Sequence, residues 1–83
     1  MSDDGVEHQV RQIAADVFNL PLDRVTRETS SDSVANWDSV QHLNFVLALE
    51  AALGFTLEPE EIEQMRTVGA AIDVARKKLG KPV

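Results

Sequence analysis

The segment from Ser39 to Leu53 is apolar on nearly every face of a helix, and this limits the folds open to the chain. Leu43, Val46, Leu49 and Leu53 repeat at helical spacing. Val40, Phe45, Leu47 and Ala51 place further apolar groups on the other faces. At 100° per residue, Val40 and Leu47 lie within about 20° of each other, with Ala51 close by. Such a helix is either central in a bundle or carries an exposed apolar stripe for a partner. Three flanking segments supply the rest of a bundle. Val6, Val10, Ile13 and Val17 mark a first helix, with Asp4 and Glu7 spaced as a capping box and Asp3 adding charge suited to its positive end. It should end near Asn19, because Pro21 disfavours helical geometry at Leu20. Pro59 suits the first turn of a short acidic helix around Ile62 and Met65. Thr67 is a cap for a last helix with Val68, Ala71, Ile72, Ala75 and Leu79 on its apolar face. Gly54, Gly80 and Pro82 are stop signals. Arg76, Lys77, Lys78 and Lys81 suit the negative end of that last helix.

No alternating run argues for a strand. The expected fold is therefore all-α: a single domain over 1–83, a four-helix bundle with helices near 4–19, 39–53, 59–65 and 68–79. The third helix is short, and a long loop joins the first two. That loop, Leu20 to Trp37, is rich in turn-forming residues, and Leu20, Leu22, Val25 and Val34 are placed to pin it to a core. An ordered loop of this length in a small domain is usually functional.

Composition narrows the function. A chain of 83 residues has a modest core and little room for an enclosed pocket. The absence of cysteine excludes disulfides, thiolate metal sites and a cysteine nucleophile. His8 and His42 are too few for a protein-only transition-metal site, and no calcium-binding loop is present. A net charge of −6 disfavours nucleic acid and favours basic protein partners. The longest apolar run, Phe45 to Leu49, is too short to span a membrane. Met1-Ser2-Asp3-Asp4 does not open a signal peptide, so the expected setting is a cytoplasmic monomer.

Trp37-Asp38-Ser39-Val40 is the informative spot: a serine opens a helix at the end of the long loop. Free backbone N–H groups and the helix dipole favour a phosphate ester there, and Asp38 or Ser39 also serves as an N-cap. Asp-Ser-Val occurs twice, at Asp32–Val34 and at Asp38–Val40. Only the second opens an apolar helix, which favours Ser39 over Ser33. A Ser39–His42–Asp38 hydrolase constellation can be drawn, but it has no evident oxyanion hole or pocket. His42 reads as an exposed helix residue, Trp37 as a packing residue that pins the loop, Met65 as core filler, and Glu58 to Glu63 as a solvated helix face.

The stretch from Trp37 to Glu50 resembles the segment around the modified serine of acyl carrier proteins. Val25-Thr26, the acidic Glu58–Glu63 segment and Thr67-Val68-Gly69 resemble other parts of that family. The resemblance implies a carrier and not an enzyme. It implies 4′-phosphopantetheine, derived from coenzyme A, on Ser39, with Asp38 beside it. Its partners would be a phosphopantetheinyl transferase and acyl-loading and acyl-using enzymes such as a ligase, ketosynthase or acyltransferase. Val40, Leu47 and Ala51 form the expected docking stripe, with Glu50 at its edge and Glu60, Glu61 and Glu63 adding charge complementarity. Gln41, Asn44 and Ala51 stand where fatty-acid carriers are acidic, which points to a specialised secondary-metabolite or modified-fatty-acid pathway. The alternative is an unmodified helical interaction module that uses the same stripe.

Overall fold

A computed structural model describes residues 5–80. Four helices form: α1 Gly5–Phe18, α2 Ser39–Leu53, α3 Pro59–Gln64 and α4 Val68–Lys78, with a single 3-10 turn at Leu22–Arg24. Each bound falls within one residue of expectation. The caps explain why. Asp38 accepts the Gln41 backbone N–H at 2.9 Å, and Thr67 accepts that of Ala70 at 3.0 Å. Gly54 closes α2 in the left-handed region at φ 77°, where a side chain would be strained. The proposed Asp3 and Asp4 contributions to α1, and those of Lys81 and Pro82 at the far end, lie outside the described residues. Among the described residues the only extended pairing is an isolated antiparallel bridge between Ser30 and Thr67.

α1 packs against both α2 and α4. Its buried face is Val6, Val10, Ala14, Ala15 and Phe18, whereas Ile13 and Val17 of the expected stripe are only half-buried. α4 buries Val68, Gly69, Ala71, Ile72, Val74 and Ala75. α2 does not bury the whole row of Leu43, Val46, Leu49 and Leu53. Leu43 is 54% exposed, and Phe45 takes the core position with Val46 and Leu49. Phe45 is selected because its ring meets Phe18 at 5.4 Å and Trp37 at 5.7 Å, contacts made across the bundle.

The long loop is held on three sides. Val25, Val34 and Trp37 are buried, with Leu20 and Leu22 packed against them. Arg11 of α1 donates to the carbonyls of Val25 (2.9 Å) and Leu22 (3.1 Å). The first backbone N–H groups of α4, which have no partner within the helix, donate instead to the loop: Val68 to Thr29 O at 2.9 Å and Gly69 to Arg27 O at 3.0 Å. A Cβ on residue 69 would lie 3.0 Å from that Arg27 oxygen, so this close approach favours glycine. Arg27 also pairs with Asp73 at 3.1 Å.

The basic end of α4 departs from expectation. Arg76 reaches Glu7 of α1 at 3.3 Å and Lys78 reaches Glu61 of α3 at 3.1 Å, so both cations tie helices together as well as facing the dipole. Glu61 is accordingly half-buried and not simply solvated. The Glu58 backbone N–H, and then the Lys78 ammonium, hold its carboxyl below its ordinary value.

Candidate functional site

The site forms where the long loop runs into α2. Asp38 sits in an extended conformation, and its carboxylate is occupied as the N-cap. Ser39 is the first residue of α2 and is exposed, and among the described residues no hydrogen bond occupies its hydroxyl. Ser33 is placed differently. Its Oγ accepts from Ser30 N at 3.0 Å and donates to Ser30 O at 3.1 Å, so it is part of a turn.

Two amide side chains fix the start of α2 against the end of α1. Asn36 Nδ2 donates to Phe18 O at 3.1 Å, and Gln41 Nε2 donates to Val17 O at 2.8 Å. These carbonyls belong to the last turn of α1 and lack helical partners. Asn19 beyond them is left-handed at φ 58°, and Leu20 N closes the turn onto Ala15 O at 2.9 Å. Asn44 Nδ2 donates to Gln41 Oε1 at 2.6 Å, which orients the Gln41 amide. The neutral residues at 41 and 44 therefore have a structural reason. Gln41→Glu is expected to lose about 1–2 kcal/mol in urea unfolding, because a carboxylate cannot donate to Val17 O and would face the negative end of α1. An unchanged unfolding midpoint would contradict this role.

Trp37 is buried, as expected of a packing residue, and stacks on Phe18 with centroids 4.3 Å apart. His42 is the clearest correction at the site. It is half-buried, not exposed. Trp37 Nε1 donates to His42 Nδ1 at 3.0 Å, while His42 Nε2 lies 3.0 Å from Ile62 O. Both ring nitrogens are therefore engaged away from Ser39, and Asp38 is engaged with Gln41. The drawn Ser39–His42–Asp38 constellation is not assembled.

Beside Ser39 lies an open groove of about 560 Å³, whose walls include Trp37, His42 and Leu43 on one side and Ile62, Glu63 and Arg66 on the other. Along α2, Val40 (67%) and Leu47 (61%) are exposed as expected, and Ala51 is exposed with them. Leu43 joins this stripe. Its position, 40° from Leu47 on the helical wheel, was the available signal. Glu50 is half-buried and its carboxylate accepts the Leu57 N–H at 2.8 Å, so it braces the link to α3 and is not a free charge at the stripe's edge. No helix among the described residues is long and apolar enough to cross a membrane.

A helical bundle that presents an unbonded serine at a helix start, beside a groove and with no assembled catalytic group, has the features of a carrier domain. A family model described as the phosphopantetheine attachment site matches residues 8–75. The chain is 30% identical over 79 residues to an acyl carrier protein of Petrotoga mobilis, covering 95% of this chain and 93% of that one. It is 28% identical over 80 residues to an acyl carrier protein of Lactobacillus acidophilus, covering 96% and 100%. The solution structure of a holo acyl carrier protein from Geobacter metallireducens matches with a TM-score of 0.80 at 29% identity, over 90% of this chain and 86% of that one. An acyl carrier protein from Enterococcus faecalis matches with a TM-score of 0.75 at 33% identity, over 94% and 99%. The chain belongs to the acyl carrier protein family, whose members hold a covalent 4′-phosphopantetheine. It is a carrier and not an enzyme.

Proposed function

We propose that Ser39 bears the phosphopantetheine arm and that the chain serves a specialised acyl pathway. The observation that carries this reading is the exposed, unbonded Ser39 hydroxyl at the start of α2, opening onto the groove, while the Ser33 hydroxyl is consumed within a turn. The residues fit the group: free N–H groups and the dipole at the start of α2 favour a phosphodiester, and the groove offers an apolar bed beside it. In the modification step the Ser39 oxygen attacks the β-phosphorus of coenzyme A. Its proton passes to a base of the transferase, and adenosine 3′,5′-bisphosphate leaves. When bound, the arm supplies a terminal thiol that holds an acyl group as a thioester.

The chain's own residues then position and present. Asp38 and Gln41 fix the direction of α2, so the attachment point sits at a defined place on a rigid helix. Val40, Leu43, Leu47 and Ala51 form the face on which transferase and acyl-handling enzymes dock. Tethering raises the effective concentration of cargo at each docked active site. The specialised assignment is supported by the lack of free acidic charge on α2: Gln41 and Asn44 are neutral, and Glu50 is turned into the α2–α3 link. Housekeeping partners that select for an acidic helix would find little to hold here. We place this work in the cytoplasm, by a monomer.

The test is intact mass after incubation with coenzyme A, magnesium and promiscuous phosphopantetheinyl transferases. A gain of one phosphopantetheine per chain is expected. No gain with any transferase, in a folded sample, would overturn the reading and favour an unmodified helix-binding module that uses the same apolar stripe.

A further inference from the structure

His42 is placed to do more than fill space. Trp37 Nε1 can only donate, so His42 Nδ1 is the acceptor in their 3.0 Å contact. The neutral ring then carries its proton on Nε2 and donates to Ile62 O at 3.0 Å. Among the described residues this is the only side-chain hydrogen bond between α2 and α3. α3 has six residues, too few to hold its shape alone. Glu61 fastens it to Lys78 of α4, and His42 fastens it to α2. The two rings also stack, with centroids 6.1 Å apart and 23° between planes. Trp37 is itself anchored on Phe18. A continuous chain of contacts thus runs from α1 through the loop and α2 to α3, and Trp37, His42 and Ile62 all line the Ser39 groove. Phe45, Leu49 and Met65 are at most 1% exposed, so an apolar chain could reach them only if the packed helices moved apart.

We propose that His42 is a latch: it holds α3 against α2 and keeps an acyl chain tethered at Ser39 in the surface groove, outside the bundle. The chain it selects for is one that a shallow groove walled by Trp37, Leu43, Ile62 and Arg66 can accommodate, short or polar at its end, in preference to a long saturated one. The role of the groove rests on the Ser39 reading; the latch itself does not.

Two measurements separate them. In the unmodified chain, hydrogen exchange of the Trp37 indole N–H is followed by NMR in the parent, His42→Phe and His42→Gln. Phenylalanine keeps a ring but neither hydrogen bond, whereas glutamine can still accept from Trp37 and donate to Ile62. Exchange is expected to be roughly tenfold or more faster in the phenylalanine variant and partly restored in the glutamine variant. Equal exchange in all three overturns the latch, whatever happens at Ser39. In chains loaded with an octanoyl thioester, amide shift changes against the unloaded arm are expected at Ser39, His42, Leu43 and Ile62 in the parent. They should spread to Phe45, Met65 and Ile72 in the phenylalanine variant. Core shifts in the parent, or none in the variant, overturn the guarding role. Failure of the arm to load is seen by mass beforehand and counts against the Ser39 reading, leaving the latch to be judged by indole exchange.

Discussion

Ser39→Ala is expected to take up no phosphopantetheine from coenzyme A under conditions that convert the parent fully, with an unfolding free energy changed by less than about 0.5 kcal/mol. The two halves of this result have separate causes. Uptake needs a nucleophilic hydroxyl, and alanine supplies none. Stability is indifferent because Asp38, not Ser39, caps α2 and because the Ser39 side chain is exposed. Alanine is also the better helix former. Ser33→Ala should behave in the opposite way. It should take up the arm completely, yet lose about 1 kcal/mol, because the turn bonds to Ser30 N and O are lost. Intact mass and urea unfolding on the three chains read both quantities. Modification of the Ser39 variant, or loss of modification in a folded Ser33 variant, would place the arm elsewhere.

Phe45→Ala is expected to cost about 3–5 kcal/mol. The ring is fully buried and lies at the centre of the aromatic group formed with Phe18 and Trp37. Truncation removes the transfer free energy of the ring and leaves a cavity that the stacked neighbours cannot fill without giving up their own 4.3 Å contact. For 83 residues the total stability is on the order of 4–12 kcal/mol, so this one change takes a large share of it. The consequence reaches the site, because Trp37 is held by the same rings and in turn donates to His42. The measurement is the urea midpoint at unchanged slope, together with Trp37 fluorescence in the native baseline. A loss below about 1 kcal/mol would mean that the aromatic group does not organise the core.

Helix limits and caps were legible in the sequence because they depend on local chemistry. Asp38, Gly54, Pro59 and Thr67 act on the residues beside them, and the helix bounds follow. The start of α2 at Ser39 could be read for the same reason, whereas the choice of Asp38 over Ser39 as its cap comes from the structure. The rotation of α2 could not. A helix apolar on all faces gives no preferred side, and the choice of Phe45 over Leu43 comes from Phe18, on another helix. His42 was read as exposed because its two partners, Trp37 and Ile62, lie on the loop and on α3, and no spacing along the chain announces that meeting. The bracing role of Glu50 is not legible in the sequence, because the Leu57 N–H it accepts lies beyond a glycine-closed turn. Gln41 is the instructive middle case. Its departure from an acidic pattern was visible, but the reason, the end of α1 at Val17, appears only in three dimensions.

The central claim is that the arm sits on Ser39. Trypsin leaves Ser33 and Ser39 together on the peptide from Glu28 to Arg66, so digestion alone cannot separate them. Fragmentation of that peptide from the modified chain can. The added phosphopantetheine is expected on every fragment that retains Ser39 and on none that contains Ser33 but ends before Asp38. The added mass on fragments that stop short of Asp38 would contradict the account directly.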